Sequence, residues 1–338
     1  MATYDSWSRL SEVWLGDCYP KKFYDHLGSE VKECFHKITE ITQEDLLIIQ
    51  KKLEEFGIRV KRPTYNNIED YSQDGNLMKP QITPRDYYFS LGDKLYFKDN
   101  YKNFSLPWVD VVNEYKESGL IEITDRLHHD LHIGGANLVR VGRDLFFDLH
   151  DKNMISLFET QALPKFKDYR CHLIFNGGHT DSCFAILKPG LILASNYYED
   201  YAKTFPGWQS IYLDKPEFYK NPHPSNFDQH NKNWWLPTGR NDSFNEHIVK
   251  YALDWVGDYT ETYFDINCLV IDERNVLMLG DNDNLYNQLE KKGISVHQVP
   301  FRTRTFWDGG LHCLTVDIRR NSKLQDYFDF KDPLIIHQ

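Results

Sequence analysis

The sequence lacks the usual features of proteins that bind nucleic acid or cross a membrane. Its 39 Lys and Arg residues are outnumbered by 50 Asp and Glu residues, so the formal net charge is −11. This acidic balance argues against general binding to nucleic acid or to anionic membranes. No apolar run approaches the roughly 18 residues that a membrane-spanning helix needs. A cationic small-molecule substrate is compatible with this charge.

Cysteine is scarce and scattered, and no CxxC pair is present. The six cysteines are Cys18, Cys34, Cys171, Cys183, Cys268 and Cys313. This spacing argues against a structural zinc site, and we expect no disulfides. The N-terminal stretch MATYDSWSRLSEVWLGD has no basic region followed by an apolar core, so it does not resemble a secretory signal. We therefore predict a cytoplasmic protein.

A short apolar strand closed by a polar or small residue recurs five times along the chain. The occurrences are EVWLGD (12–17), KLYFKD (94–99), DLFFDL (144–149), GLILAS (190–195) and NVLMLG (275–280). In addition, LEEFGIRV (53–60) and LEKKGISV (289–296) each read as a helix end, a glycine and a new strand. An ordinary α/β protein also contains short apolar strands. The repetition favours a pseudo-symmetric assembly of modules around one core.

The segment around 206–258 fits the repeated module poorly. It contains NPHPSNFDQHNKNWWLPTGRND, which is rich in Asn, Pro, His and Trp. We interpret it as an insertion or extended loop, either packing on one face or covering a pocket. No low-complexity linker divides the 338 residues, so we predict one domain over 1–338.

Three distant motifs could carry chemistry. They are TPRD, ending at Asp86; GGHTDS, with His179 and Asp181; and GGLHC, ending at Cys313. On a strand, His179 and Asp181 would point to the same face. A thiolate can attack carbon while a histidine moves protons, and two carboxylates fit the paired N–H donors of a guanidinium. Each motif also has an ordinary structural explanation, and a buried thiol is more often inert.

The same stretches resemble the amidinotransferases, within the wider group of guanidino-group-modifying enzymes. The stretches that carry the resemblance are SWSRLSEVWLGD, TPRD, ANLVRVGRDLFF, HTDSCFAILKPGLILAS and GGLHCLTVDIRR. They occur in the family's order and span nearly the whole chain. The resemblance implies an α/β fold, a five-bladed pseudo-symmetric propeller known as the pentein fold, with the active site where the modules converge.

The resemblance also implies roles for the motif residues. Cys313 corresponds to the family's nucleophile, which forms a covalent amidino-cysteine intermediate, and His179 to its general acid and base. Asp86 and Asp181 correspond to the carboxylates that hold the guanidinium. The expected substrates are arginine and an amine acceptor, with no metal or organic cofactor, no nucleic-acid or membrane partner, and a homodimer allowed. Two alternatives remain: an arginine deiminase or dihydrolase-like hydrolase, and a catalytically weak guanidino-binding homologue.

The sequence departs from the family pattern beside the catalytic histidine. The family has an aspartate there that supports the histidine, whereas alignment on Arg140 puts Gly134 at that position. Asp130, four residues away, is the nearest acid in the sequence and would need a local shift of the chain to replace it. We therefore expect a weaker proton shuttle at His179, and Gly134→Asp should raise turnover if the backbone accepts a side chain. The family's arginine for a substrate carboxylate is also not evident in SNYYEDY (195–201).

Overall fold

The computed structural model describes residues 2–97, 106–119, 122–123, 131, 133–176, 179–195, 201–213, 241–256, 264–280 and 282–337. The strands are β1 (Leu10–Leu15), β2 (Arg59–Lys61), β3 (Ser72–Gln73), β4 (Asn76–Leu77), β5 (Tyr88–Leu91), β6 (Lys94–Phe97), β7 (Glu122–Ile123), β8 (Leu138–Val141), β9 (Asp144–Asp148), β10 (Arg170–Ile174), β11 (Phe184–Lys188), β12 (Leu191–Ala194), β13 (Gln209–Tyr212), β14 (Leu269–Asp272), β15 (Asn275–Met278), β16 (Ser295–Gln298), β17 (Thr315–Arg320) and β18 (Leu334–Ile336). The α-helices are α1 (Ser29–Glu55), α2 (Val109–Ser118), α3 (Ile155–Gln161), α4 (Tyr201–Thr204), α5 (Asp242–Tyr251), α6 (Asp283–Lys291) and α7 (Arg304–Trp307).

Five of the sheets have the same internal arrangement. Their strand orders are β17-β1-β2, β5-β6-β7, β8-β9-β10 with β18 added, β11-β12-β13, and β14-β15-β16. In each, the first strand pairs antiparallel with the middle strand, and the third strand pairs parallel with it. A parallel partner requires a crossover connection, and α1, α2, α3, α4 and α6 lie in these connections. The five apolar repeats predicted from the sequence are the five middle strands.

The two similar helix ends have similar backbone conformations. Gly57 follows α1 with φ +73°, and Gly293 follows α6 with φ +74°. A side chain is strained in this left-handed region, so glycine suits both turns. In each case a strand begins two residues later, at Arg59 and Ser295, as the sequence predicts.

The predicted insertion around 206–258 begins inside one of the five sheets. Strand β13 is the third strand of its sheet, and α5 packs against α1 through Phe244, which contacts Phe35 edge to face. Residues 214–240, including most of the Asn- and Trp-rich stretch, lie outside the described residues. No described helix is both long enough and apolar enough to span a bilayer.

Candidate active site

Most of the side chains singled out from the sequence lie just before the first strand of a sheet. We call these segments the site loops: residues 309–314, 83–87, 133–137, 179–183 and 264–268. Cys313, Asp86 and Asn267 each stand two positions before such a strand, at β17, β5 and β14. Asp181 stands three positions before β11. Residues two or three positions before the first strand therefore supply site side chains in four of the five sheets.

The site loops contact one another directly. The backbone N–H of Arg85 donates to the carbonyl oxygen of Cys313 over 3.4 Å, and the Thr180 hydroxyl donates to the carbonyl oxygen of Ala136 over 2.8 Å. The Sγ of Cys313 is 3.3 Å from Oδ2 of Asp181. Residues more than 130 positions apart in the sequence are thus held within hydrogen-bonding distance.

Cys313 is buried, with 6% of its surface exposed, and its thiol has two polar neighbours. The thiol donates to Oδ2 of Asp181, and Nδ2 of Asn267 donates to Sγ over 2.9 Å. Burial raises the pKa of Cys313 well above its usual range, and the negative charges of Asp181 and Asp86 raise this pKa further. Asn267 acts in the opposite direction. In the free protein the thiol form is therefore favoured.

Asp181 contacts both Cys313 and His312, and the sequence alone predicted no role for His312. Nδ1 of His312 lies 2.8 Å from the same Oδ2 atom that accepts the thiol. Burial raises the pKa of Asp181, but the hydrogen bond and charge of His312 and the charge of His179 outweigh it and leave this pKa below its usual range. Asp181 is therefore ionised at neutral pH.

Asp86 and Asp181 each carry a buried oxygen without a hydrogen-bond partner. These atoms are Oδ1 of Asp86 and Oδ1 of Asp181. A buried carboxylate oxygen without a donor is costly, and such an atom calls for a bound partner. Both charges act on Cys313. The pair forms a negative region around the thiol that is suited to a planar cation with several N–H donors.

His179 occupies a more exposed position than the other predicted residues. It caps the 3₁₀ helix Thr180–Ser182, and its carbonyl oxygen accepts from the N–H of Ser182 over 3.3 Å. Its charge contributes to the lowered pKa of Asp181, which places it on the rim of the same site. Within the described residues, no hydrogen bond joins its imidazole to Cys313.

Position 134 has no room for a side chain, so only glycine fits there. Its backbone is extended, at φ −113° and ψ −171°, which any residue adopts. However, a Cβ atom added here would lie 2.1 Å from the carbonyl oxygen of Asp86. The structure therefore does not meet the condition under which Gly134→Asp would restore activity. Asp130, the nearest alternative acid in sequence, lies outside the described residues.

Several arginines of the sequence motifs form a buried ion network beneath the site. Asp317 binds Arg85 at 2.8 Å and Arg320 at 2.6 Å, and it also binds Arg140. Burial by itself raises the pKa of Asp317, but these three cations lower it well below its usual range. The Nε of Arg85 also donates to the carbonyl oxygens of His312 and Thr315. The arginine of TPRD thus holds the loop that carries Cys313.

Asn267 and His312 are the two residues of the site that sequence reasoning missed. His312 lies in the GGLHC motif, which by itself indicates no role for this histidine. Asn267 lies in INCLVID, where nothing in the residue pattern marks it. Once the five repeats are aligned on their first strands, Asn267 occupies the position of Cys313 and Asp86. No group of three or more His, Cys, Asp or Glu suited to a metal ion is found among the described residues.

Curated proteins similar to the chain over nearly its full length include two amidinotransferases of different specificity. One is the mitochondrial glycine amidinotransferase of Gallus gallus, 21% identical over 97% of this chain and 77% of that protein. The other is the L-arginine:L-lysine amidinotransferase of Pseudomonas savastanoi pv. phaseolicola, 21% identical over 97% of this chain and 96% of that protein. The resemblance to the amidinotransferases is confirmed. No protein-family model matches the chain.

Solved structures show that the chain shares the α/β fold of the amidinotransferases. The inosamine-phosphate amidinotransferase StrB1 from Streptomyces griseus superposes with a TM-score of 0.69 at 20% identity, over 96% of this chain and 98% of that one. The N-terminal domain of ArgZ, an arginine dihydrolase from cyanobacteria, superposes with a TM-score of 0.54 at 12% identity, over 91% and 98%. Both have the pentein fold, which is an α/β fold, so the predicted α/β fold class is confirmed.

Proposed function

We propose that this protein is an amidinotransferase that moves the amidino group of arginine to an amine acceptor through a covalent intermediate on Cys313. The observation that carries the proposal is the pair of unpartnered buried oxygens on Asp86 and Asp181, beside a cysteine. Similarity to amidinotransferases over nearly the whole chain supports the same reaction class.

The guanidinium of arginine fits the charge and hydrogen-bonding capacity of the site. Oδ1 of Asp86 and Oδ1 of Asp181 would each accept an N–H bond, and charge-assisted bonds of this kind are stronger than neutral ones. The bound cation would offset the two negative charges that disfavour the thiolate. Substrate binding would therefore promote ionisation of Cys313, which otherwise stays protonated.

The proposed reaction then proceeds in two steps, each of which forms one bond to the guanidino carbon and breaks another. The Cys313 thiolate attacks the guanidino carbon, a C–S bond forms, the C–N bond to the ornithine nitrogen breaks, and ornithine leaves after gaining a proton. An acceptor amine next attacks the same carbon, the C–N bond forms, the C–S bond breaks, and the amine loses a proton. We assign proton transfer to His179 at the exposed rim, where substrates enter and leave.

We also propose that the five sheets surround one axis as a five-bladed propeller within one domain. In support, each site loop precedes the first strand of its sheet, and the loops contact one another. A cytoplasmic location, the absence of a cofactor and a homodimer stay predictions from the sequence.

Incubation with arginine and a panel of amines tests the function. We expect ornithine together with a guanidino product. Citrulline or ammonia instead would indicate a hydrolase, as in the ArgZ relative, and binding without turnover would indicate a guanidino-binding homologue. Intact-mass analysis after arginine alone should show an added amidino group on the wild type.

Cys313→Ala and Cys34→Ala form a matched pair for that experiment. Cys34 is a partly buried cysteine on α1, so its replacement controls for the loss of a thiol elsewhere. The amidino adduct should disappear only in Cys313→Ala. Full turnover in Cys313→Ala would refute the covalent mechanism.

A further inference from the structure

Asn267 binds the segment that carries Cys313 at three points. The carbonyl oxygen of Asn267 accepts from the N–H of His312 over 3.1 Å. Its side-chain Oδ1 accepts from the N–H of Cys313 over 2.9 Å, and its Nδ2 lies 2.9 Å from Sγ. One buried side chain, 4% exposed, thus holds both the backbone and the thiol of the same cysteine.

The chemistry of these bonds fixes which end of the amide faces the sulfur. The backbone N–H of Cys313 can only donate, so it must face the carbonyl oxygen of the Asn267 side chain. The NH₂ group is then directed at Sγ. An N–H donor favours a negatively charged acceptor over a neutral one, so this contact stabilises a thiolate more than a thiol.

Gly310 lies against the same asparagine side chain, with no room for a Cβ atom of its own. A Cβ atom added to Gly310 would lie 2.7 Å from Cβ and 2.8 Å from Oδ1 of Asn267. Part of the GG pair in GGLHC therefore serves to let Asn267 approach Cys313. The negative charges of Asp181 and Asp86 both oppose ionisation of this thiol.

We infer that Asn267 is a further catalytic residue, whose side-chain amide stabilises the Cys313 thiolate by direct hydrogen bonding to Sγ. The effect of this hydrogen bond on turnover rests on the proposed function, whereas its effect on the ionisation of Cys313 does not. In the proposed mechanism Asn267 supports the thiolate when it attacks arginine, and again when the thiolate leaves in the second step.

Asn267→Asp is the informative variant because it separates the two side-chain bonds. A carboxylate retains an acceptor for the N–H of Cys313 and removes the donor to Sγ, but it also places a negative charge beside Sγ. Asn267→Leu removes the same donor without adding a charge, so the two variants are compared. Asn153→Asp is the matched control: Asn153 is exposed, its side chain bonds to Asp151, and the same charge is added. Iodoacetamide is the probe, because it reacts with thiolates, and peptide mass analysis reads the modification at Cys313 alone.

We expect Asn267→Asp and Asn267→Leu each to slow alkylation of Cys313 about tenfold or more at a pH below the thiol pKa, and to shift the pH profile upward, because both lose the hydrogen-bond donor to the charged sulfur. Asn153→Asp should match the wild type. An unchanged profile in a folded Asn267→Leu protein would overturn the inference, because a shift in Asn267→Asp alone would then come from the added charge. If the profile shifts but the wild type transfers no amidino group, the inference about the thiol stands and the proposed function fails.

A second measurement covers the case in which Asn267→Asp does not fold. In the wild type, the side-chain amide ¹H–¹⁵N signals of Asn267 should shift with the ionisation of Cys313 as pH rises. The same signals should not follow pH in that range in Cys313→Ser. Signals that do not respond in the wild type would equally overturn the inference.

Discussion

Gly134→Asp should lower turnover, although the resemblance to the amidinotransferases implies an aspartate at this position. The new Cβ atom would begin 2.1 Å from the carbonyl oxygen of Asp86, whereas real Cβ contacts stay at 3.0 Å or more. The two backbones must therefore separate, and the neighbour that moves is Asp86, a proposed guanidinium ligand. A displacement of about 1 Å in such a group can cost on the order of 100-fold in rate.

The same clash should also lower stability. Overpacking of a tight site costs about 1–3 kcal/mol in the free energy of unfolding. Gly28→Asp is the matched control, because Gly28 precedes α1 and a Cβ atom there meets nothing within 4 Å. Aspartate is also favourable before a helix. Initial rates with arginine and urea unfolding measure both effects. Higher turnover in Gly134→Asp would refute this reasoning and support the missing-acid interpretation.

Three further predictions concern the site and its support. Asp86→Asn and Asp181→Asn should each cost about 2–4 kcal/mol in kcat/KM with arginine, since each loses a charge-assisted bond; near-normal efficiency in both would show that the guanidinium is held elsewhere. His179→Gln should lower kcat and change its pH profile if His179 moves protons, whereas His312→Gln should chiefly shift the alkylation pH profile of Cys313, because His312 bonds to Asp181; the reverse pattern would exchange their roles. Asp317→Asn should lower the free energy of unfolding by about 3–5 kcal/mol at pH 7. Because the folded-state pKa of Asp317 is depressed, its stabilisation is complete above about pH 4 and is lost as pH falls towards the folded-state value; urea unfolding from pH 7 to pH 3 should show a larger loss in the wild type than in the variant, which keeps other carboxyl groups with depressed pKa values, such as Asp144 and Asp181.

Local signals in the sequence were sufficient for the repeated units. The five apolar stretches are strongly hydrophobic and short, and burial on both faces requires that pattern in the middle strand of a sheet. The glycines after α1 and α6 have a local cause as well, since the left-handed turn depends on residues next to them. Cys313, Asp86 and Asp181 could also be named in advance, because each lies in a short motif of distinctive composition.

Only the tertiary structure decided how those motifs combine. Alignment alone made Gly134 a missing acid, whereas the structure makes it a close contact with Asp86, because that contact joins residues far apart in sequence. Asn267 has no local signal, and its importance arises from reaching Cys313 across two sheets. The sequence by itself determined the repeated strands, their turns and the reactive residue types. Side-chain contacts between the site loops depend on how the sheets pack, so only the folded chain could show which residues surround the thiol.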